Sequence, residues 1–260
     1  MRCKICGAAT ICAFNAEVLG KYLIGYFHCA HCGFLQTEET YWLDEAYNSA
    51  IAAADTGLVQ RNLSLSKKLS VLLFFTFGRD SKYLDVAGGY GMLTRLMRDI
   101  GFDFYWFDKY CENLMARGFE AIEGSPFTAI TAFEVLEHVP DPLGFISESM
   151  ELAQSRTMIF STVLYEGTPP KPESWWYYTL ETGQHISFFQ RRTLQVIAEK
   201  LGLNCYSRGS IHLLTDKIIS SSRFRLLTSA LFCRVALPLI QRSLASKTMS
   251  DHLDMMSKSR

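Results

Sequence analysis

The sequence predicts an α/β fold with a doubly wound parallel sheet, preceded by a small N-terminal zinc ribbon. Three observations support this prediction. Between Ser81 and Ile100, a buried apolar strand runs into a glycine-rich turn and then into a helix. Strand and helix patterns then alternate as far as Leu201, which is typical of a parallel sheet with helices on both faces. Two Cys-x-x-Cys pairs near the N-terminus have the spacing of structural zinc sites.

Length and charge narrow the classes of function. A chain of 260 residues can hold one α/β domain and a small appendage. It carries 26 basic and 26 acidic residues without a long basic stripe, so a nucleic-acid partner is not expected. The N-terminus lacks the apolar segment of a secretory signal, and we therefore expect a cytoplasmic protein with reduced cysteines.

The predicted zinc ribbon occupies residues 1–40. Its two pairs, separated by 22 residues, are Cys3, Cys6, Cys29 and Cys32. Four thiolates at this spacing would hold Zn²⁺ in a structural role, because such a site closes its coordination shell. Cys12, His28 and His31 lie nearby and are alternative ligands. The alternative to zinc is a set of free thiols or a redox pair.

Residues 41–78 are expected to be largely helical, because leucines recur at partly helical spacing between Leu58 and Leu73. We interpret them as a linker and a helix that covers the predicted cofactor cleft. The next segment, residues 79–219, is the main domain. Residues 220–260 form a tail whose apolar run between Ser220 and Ala245 predicts an amphipathic or buried helix. The tail is expected to pack on its own domain, or else to contact a second copy or a membrane surface.

The glycine turn of the main domain is a candidate ligand site. Its small residues, with the aspartate that precedes them, are Asp85, Ala87, Gly88, Gly89 and Gly91. Glycine allows a tight turn and a close approach of the backbone to a ligand. The second strand, Phe104–Phe107, ends at Asp108, where doubly wound folds place a carboxylate on ribose hydroxyls.

The remaining elements follow in order. We predict a short helix over 111–117, a strand over 119–122, a strand over 128–133, a helix over 142–153, a strand over 157–162 and a helix over 193–201. The aromatic run Trp175–Tyr178 lies in an intervening loop. It is either an acceptor pocket or part of the core.

The glycine turn resembles motif I of the class I S-adenosylmethionine (SAM) methyltransferases, which have a Rossmann-like sheet. The segment Ala132–Pro142 resembles the Glu-Val-Leu-Glu-His signature of a small-molecule branch that includes O-methyltransferases. The resemblance implies SAM as cofactor, held by Asp85, the turn, Asp108 and Phe133. Ala87 departs from the motif, so we expect altered packing near the methionine moiety with retained binding. Thr128 replaces an aspartate far from the active site.

The Glu-His segment also suggests catalytic residues. Glu134, Glu137 and His138 stand at i, i+3 and i+4, and a helical turn would place them on one face. With His185 they could hold Mg²⁺ or Mn²⁺, as similar sets do in metal-assisted O-methyltransferases. Alternatively, His138 or His185 is a general base oriented by Glu137, without a metal. In the third interpretation these residues are only structural.

Together, these features resemble zinc-ribbon methyltransferases of sugar and cell-surface polysaccharide pathways. We predict a SAM-dependent methyltransferase for a small hydroxylated acceptor, with O-methylation favoured and a sugar or polysaccharide precursor as the expected partner. One alternative is C-methylation of a nucleotide-linked deoxysugar, because the enzymes that perform it share the N-terminal cysteine pattern. An alternative of another class is a zinc-ribbon adaptor that binds SAM without catalysis.

Overall fold

The computed structural model describes residues 1–47, 55–122 and 124–258. The strands are β1 (Ile11–Val18), β2 (Tyr22–His28), β3 (Leu35–Thr37), β4 (Lys82–Val86), β5 (Asp103–Phe107), β6 (Ala129–Ala132), β7 (Thr157–Ser161), β8 (Ser187–Phe188), β9 (Asn204–Arg208) and β10 (Ile211–Thr215). The helices are α1 (Leu43–Ala46), α2 (Leu58–Phe77), α3 (Met92–Ile100), α4 (Pro142–Leu152), α5 (Arg191–Leu201), α6 (Ser221–Leu227), α7 (Ala230–Ser243) and α8 (Thr248–Lys258). The predicted α/β class is confirmed.

The described residues fall into two compact units. Unit 1 contains residues 1–47, 133–149 and 159–217, and unit 2 contains residues 55–122, 124–132, 150–158 and 218–258. Both units are therefore assembled from segments that are far apart in sequence.

Unit 2 is built around β4, whose side chains are buried from Tyr83 to Val86. This strand pairs in parallel with β5 on one side and β6 on the other, and Leu84 lies opposite Tyr105 and Ile130. Helix α3 follows β4 directly and begins at Met92, as predicted from its apolar spacing. Helices α2, α6 and α7 pack together through Phe75, whose ring lies 5.8 Å from that of Phe232.

The last helix, α8, is held on α3 by a buried ion pair. Arg98 donates two hydrogen bonds to the Asp251 carboxylate, from Nε at 2.8 Å and from Nη2 at 2.7 Å. The Arg98 guanidinium also lies 3.6 Å from the centre of the Phe119 ring. Helix α8 was not predicted, although Met249, Leu253 and Met256 recur at helical spacing.

Unit 1 contains a four-stranded sheet with the order β1-β2-β3-β8. Its first two strands form an antiparallel hairpin, and β3 pairs with β8 through Leu35 opposite Phe188. The N-terminal ribbon is thus completed by two residues from much later in the chain. The same unit holds the end of β7 and an antiparallel β9–β10 hairpin, with the order β7-β10-β9.

An aromatic core fills the space beside the four-stranded sheet. Its large aromatic members that are almost completely buried are Tyr26, Trp42, Tyr177, Tyr178 and Phe188. Of the predicted acceptor-pocket aromatics, Tyr177 and Tyr178 are core residues, Trp175 packs against this core, and Trp176 alone is exposed, at 74%. The core interpretation therefore holds for three of the four.

Two predicted elements are wrong. Residues 111–117 contain no helix, because their backbone N–H groups donate to nearby side chains instead of to helical carbonyl oxygens. The Asp108 side chain accepts the Cys111 N–H, and the Asn113 side chain accepts the Ala116 N–H. The strand predicted over 119–122 is reduced to one parallel bridge between Glu120 and Trp106. The helical prediction for 41–78 holds for α1 and α2, and its part over 48–54 lies outside the described residues.

The tail contains two helices where one was predicted. Helix α6 ends before Thr228, and α7 begins after Ser229, whose hydroxyl accepts the Phe232 N–H. In the described parts of the chain, no single helix is long and apolar enough to cross a membrane. Helices α6 and α7 taken together meet that criterion in length and composition, but they are bent by 69°.

Candidate functional site

The glycine turn, residues 87–91, connects β4 to α3 in unit 2. Ala87, Gly89 and Gly91 have positive φ angles of 53°, 54° and 86°. For Ala87 this conformation costs about 1–2 kcal/mol, because its Cβ approaches the following carbonyl oxygen. The turn thus keeps its left-handed backbone at Ala87 even though a side chain replaces the glycine hydrogen.

The neighbouring glycines Gly88 and Gly89 have different roles. A Cβ on Gly88 would lie 2.9 Å from both Asp85 Oδ2 and Trp106 Cδ1, so Gly88 is needed for packing inside the protein. A Cβ on Gly89 would meet nothing within 4 Å. Gly89 is therefore the residue of this pair whose surface is open to a ligand.

Asp85 is buried beneath the turn. Its carboxylate accepts hydrogen bonds from Thr131 Oγ1 at 2.6 Å and from Thr94 Oγ1 at 3.4 Å. Burial raises the pKa of Asp85 to about 7, against the effect of these two hydrogen bonds. Asp85 thus connects β4 to β6 and α3, and a direct role in cofactor binding stays a prediction.

Asp108, which follows the last residue of β5, holds the glycine turn in place through hydrogen bonds. Its Oδ2 accepts the Gly89 N–H at 2.9 Å, and its Oδ1 accepts the N–H groups of Tyr110 and Cys111 at 2.7 and 2.9 Å. Trp106 Nε1 donates to the Gly89 carbonyl oxygen at 2.8 Å. A carboxylate oxygen has two acceptor sites, so Oδ2 can still accept a hydroxyl. The predicted bond to ribose remains untested.

The cysteine cluster consists of Cys3, Cys6, Cys29 and Cys32. Their sulfur atoms all lie within 4.8 Å of one another, with 3.5 Å between Cys3 and Cys32 and 3.4 Å between Cys6 and Cys29. A disulfide would require about 2.05 Å. Four thiolates around a zinc ion, each about 2.3 Å away, would be about 3.8 Å apart. The donor set therefore fits zinc.

The chain turns at each Cys-x-x-Cys pair, and we call each of these turns a knuckle. The two knuckles have matching backbone geometry. The N–H of Gly7 donates to the Cys3 carbonyl oxygen at 2.9 Å, and that of Gly33 donates to the Cys29 carbonyl oxygen at 2.8 Å. Both glycines have positive φ angles. Of the alternative ligands, Cys12 is exposed and its sulfur lies near the Phe14 carbonyl oxygen. Within the part of the chain that the structure describes, the cluster contains none of the alternative ligands Cys12, His28 and His31.

A second group, the Glu–His–His cluster, consists of Glu137, His138 and His185. One ligand atom from each lies within 4.8 Å of the others. The Ile186 N–H donates to the Glu137 carbonyl oxygen at 2.8 Å, and Ser187 Oγ donates to the Val139 carbonyl oxygen, also at 2.8 Å. These two bonds hold the loop of His185 beside the turn of His138, 47 positions earlier.

The histidines of this cluster are oriented by backbone carbonyls. His185 Nδ1 lies 2.7 Å from the Tyr177 carbonyl oxygen, and His138 Nδ1 lies 3.2 Å from that of Gln184. A carbonyl oxygen only accepts, so Nδ1 of His185 carries the proton and its Nε2 keeps its lone pair. Nδ1 of His138 also lies 2.9 Å from Tyr47 Oη, so it either donates to the Gln184 carbonyl oxygen or accepts from the tyrosine hydroxyl. Burial lowers the pKa of His138 to about 3 and of His185 to about 4. Both imidazoles are therefore neutral near pH 7.

Glu134 does not join this cluster, which corrects the predicted arrangement. Its φ angle is 56°, so the chain is not helical there, and a 3-10 turn begins only at Leu136. The expected i, i+3, i+4 face does not form. Instead, the Glu134 carboxylate accepts a hydrogen bond from Ser161 Oγ at 2.6 Å. Phe133, the predicted cofactor contact beside it, is half-buried.

Comparison with known proteins identifies the family of the domain that contains the glycine turn and the Glu–His–His cluster. A sequence profile described as a methyltransferase domain matches residues 59–208, which is more than half of the chain. The chain belongs to this methyltransferase-domain family. No curated protein sequence matches it.

Several solved methyltransferase structures are distantly similar to this chain. The magnesium protoporphyrin IX methyltransferase of Synechocystis PCC 6803 with bound SAH is 14% identical, with a TM-score of 0.42 over 66% of this chain and 90% of that one. TnmH is 16% identical, with a TM-score of 0.47 over 68% and 61%. The mitomycin 7-O-methyltransferase MmcR is 15% identical, with a TM-score of 0.42 over 58% and 53%.

The matched methyltransferase domain contains the glycine turn and the Glu–His–His cluster, whereas the cysteine cluster precedes it. Tyr47, which lies beside the Glu–His–His cluster, was not predicted as a site residue. Tyr47 Oη lies 2.9 Å from His138 Nδ1. No local pattern marks Tyr47, because the residue it contacts lies 91 positions later in the chain.

Proposed function

We propose that this protein is a SAM-dependent methyltransferase that methylates a hydroxyl group of a small, sugar-like acceptor. The observation that carries the proposal is the Glu–His–His cluster within a methyltransferase domain. In this proposal the glycine turn binds the cofactor and the cluster binds the acceptor hydroxyl. A C-methyltransferase for a nucleotide-linked deoxysugar is the enzymatic alternative.

Residues of the glycine turn fit the cofactor. SAM supplies a methyl group that is already activated by its sulfonium, so the protein needs chiefly to bind and align the reactants. Gly89 has open space where a side chain would stand, and Asp108 retains an acceptor site for a ribose hydroxyl. Replacing Asp108 with alanine removes this acceptor and also releases the Gly89 N–H.

The Glu–His–His cluster, with one carboxylate and two imidazoles, fits a first-row divalent cation such as Mn²⁺ better than Mg²⁺, which prefers oxygen ligands. Glu137 would supply one oxygen, while His138 and His185 would supply their Nε2 atoms. Each imidazole is held by a carbonyl oxygen at Nδ1, an arrangement that often fixes metal-binding histidines. When bound, such a cation lowers the pKa of an alcohol that it coordinates. Three protein ligands leave positions open for an acceptor.

The same features argue against a histidine acting alone as the base. A general base works best when its pKa lies near the working pH. The lowered pKa values of His138 and His185 place both rings well below that range. Three ligand atoms within 4.8 Å of one another are also more than a lone base requires, so we favour a metal over a metal-free base. Vicinal hydroxyls, as in a sugar, would match adjacent open positions on such a cation, which is why we favour a sugar-like acceptor.

The first test is transfer of radioactive methyl from SAM to a cell-envelope extract. Activity should be lost in chelator and restored by Mg²⁺ or Mn²⁺, with zinc content measured throughout so that loss of the ribbon is recognised. Full activity in chelator would exclude the metal. An absence of any transfer, together with measurable SAM binding, would favour the non-catalytic adaptor.

The cofactor site is tested separately by calorimetry. Asp108→Ala should weaken SAM binding by roughly 1.5–3 kcal/mol, the typical contribution of a hydrogen bond to a charged group. Asp99→Ala serves as the control, because Asp99 lies at the other end of α3 and accepts from Thr248. Equal SAM affinity in both variants and the wild type would show that the cofactor does not use Asp108.

A further inference from the structure

The tail helices α6 and α7 present an exposed surface of unusual composition. Leu231, Val235 and Leu239 lie one turn apart on α7 and are 76%, 64% and 62% exposed. On the same helix Cys233, Ala236 and Ile240 are buried. Helix α7 is therefore apolar on both its inner and its outer side, and packing within the described protein uses only the inner one.

Charge along this segment is equally uneven. Between Lys217 and Ser250 the sequence has six basic residues and no Asp or Glu, in a chain whose net charge is zero. The basic residues are Lys217, Arg223, Arg225, Arg234, Arg242 and Lys247. At 100° per residue, Arg234 and Arg242 lie on the same outer side of α7 as the exposed leucines. The outer side thus combines apolar side chains with positive charge.

We propose that this outer surface of α6 and α7, called here the tail surface, binds peripherally to an anionic lipid membrane. A helix that lies in a membrane interface inserts its apolar side chains among the acyl chains. Arginine at such a position extends its guanidinium toward the lipid phosphates while its stem stays in apolar surroundings. The tail surface provides both features in one place. This inference does not depend on the proposed catalytic function.

The conformation of α6 and α7 favours binding along the membrane surface over spanning the bilayer. The inner side of α7 packs with α2, and Arg223 Nη2 donates to the Phe75 carbonyl oxygen at 2.6 Å. A spanning helix would have to give up these contacts and straighten the 69° bend. Binding along the surface requires neither change.

A second copy of the chain is a poorer match for the tail surface. A two-fold interface would place the same patch against itself. Two copies of the same basic patch would then be brought close together, with no acidic residue from this segment to balance them. An anionic bilayer complements the charge and accepts the leucines at the same time.

The test is co-sedimentation of the full chain with vesicles of phosphatidylcholine alone and of phosphatidylcholine with phosphatidylglycerol. We expect binding to the anionic vesicles only, weakened by added salt. The double variants Arg234→Glu/Arg242→Glu and Leu231→Ser/Leu239→Ser should each weaken it by at least about tenfold. The controls Arg192→Glu on α5 and Leu23→Ser on β2 change exposed residues of the same types elsewhere.

Circular dichroism should show that all four variants fold, since every substituted side chain is exposed. Binding that is equal on neutral and anionic vesicles, or unchanged in the tail variants, would overturn the proposal. So would light scattering that shows a dimer of the wild type and a monomer of the leucine variant, because a second copy would then cover the surface.

Discussion

The cysteine cluster and the Glu–His–His cluster both lie in unit 1, and both could bind a metal, but they differ in donors and in closure. The first has four soft sulfur donors, which would complete the tetrahedral shell of a zinc ion and leave no position for a substrate. The second has one carboxylate and two imidazoles, which leave positions open. The comparison suggests a division of roles: the cysteine cluster would contribute stability, and the Glu–His–His cluster would contribute chemistry.

The largest expected effect is on stability at the cysteine cluster. Cys29→Ser replaces a buried ligand with a weaker one and should lower the free energy of unfolding by on the order of 5 kcal/mol, since structural zinc contributes about 10–16 kcal/mol in small domains. Thermal unfolding and elemental analysis would measure it, with about one zinc per wild-type chain. Cys12→Ser, at an exposed cysteine outside the cluster, should change neither quantity.

The opposite pattern is expected at Glu137. Glu137→Gln keeps the shape of the side chain but removes its charge, so methyl transfer should fall by about 10²–10³-fold with the zinc content unchanged. The melting temperature is the folding control and should stay near the wild-type value, because the substitution keeps the size of this fully buried side chain. Glu181→Gln is the control, since Glu181 is exposed and lies near His185 in sequence. Wild-type activity in Glu137→Gln would remove this residue from the chemistry.

A buried histidine outside both clusters sharpens the comparison. His212 Nε2 lies 3.0 Å from the Thr162 carbonyl oxygen, and Nδ1 lies 2.6 Å from Ser207 Oγ. Burial lowers the pKa of His212 to about 4. A lowered histidine pKa is therefore not in itself a sign of catalysis, and His212→Gln should leave methyl transfer near the wild-type level.

The same histidine should make stability depend on pH. The pKa of His212 is lower in the folded protein than its usual 6.5, so its neutral form stabilises the fold above pH 6.5. That stability is lost as the pH falls towards 4, by at most about 3.5 kcal/mol at about 1.4 kcal/mol per pKa unit. Urea unfolding at pH 7 and pH 4.5 should show a smaller difference in His212→Gln than in the wild type. An identical difference would mean that His212 is not buried as a neutral ring.

The two clusters also differ in how far the sequence predicts them. The cysteine cluster follows from local spacing, because two short knuckles fix their own geometry whatever surrounds them. The Glu–His–His cluster needs the bond from Ile186 to the Glu137 carbonyl oxygen, which no local pattern specifies. Glu137, His138 and His185 were predicted from a family resemblance together with Glu134, whose positive φ angle removes it from the predicted face and whose carboxylate accepts a hydrogen bond from Ser161 instead.

The same distinction applies to the fold. Strand β4 and helix α3 were predicted because apolar spacing and glycines mark them within about twenty residues. The helix expected over 111–117 failed because side-chain acceptors of Asp108 and Asn113 compete for its backbone N–H groups. The pairing of β3 with β8 joins segments about 150 positions apart, and such long-range contacts leave no periodic signal.

The smallest expected effect is a difference in the free energy of unfolding between two glycine variants, and it tests how strongly each knuckle interacts with the rest of unit 1. Gly7 and Gly33 occupy equivalent positions with φ angles of 78° and 73°. A Cβ on Gly7 meets nothing within 4 Å, so Gly7→Ala should cost only the backbone strain of about 1 kcal/mol. A Cβ on Gly33 would collide with the side chain of Gln190, which caps α5.

Gly33→Ala should therefore cost about 1 kcal/mol more than Gly7→Ala, because Gln190 must move and its capping interaction with Thr193 is weakened. The second knuckle is also anchored by Tyr165 Oη, which donates to the Gly33 carbonyl oxygen at 2.6 Å. Urea unfolding of both zinc-loaded variants would measure the difference. Equal costs would mean that the two knuckles are equally independent of the fold, and the cysteine cluster would then stabilise only the ribbon and not the unit that carries Glu137.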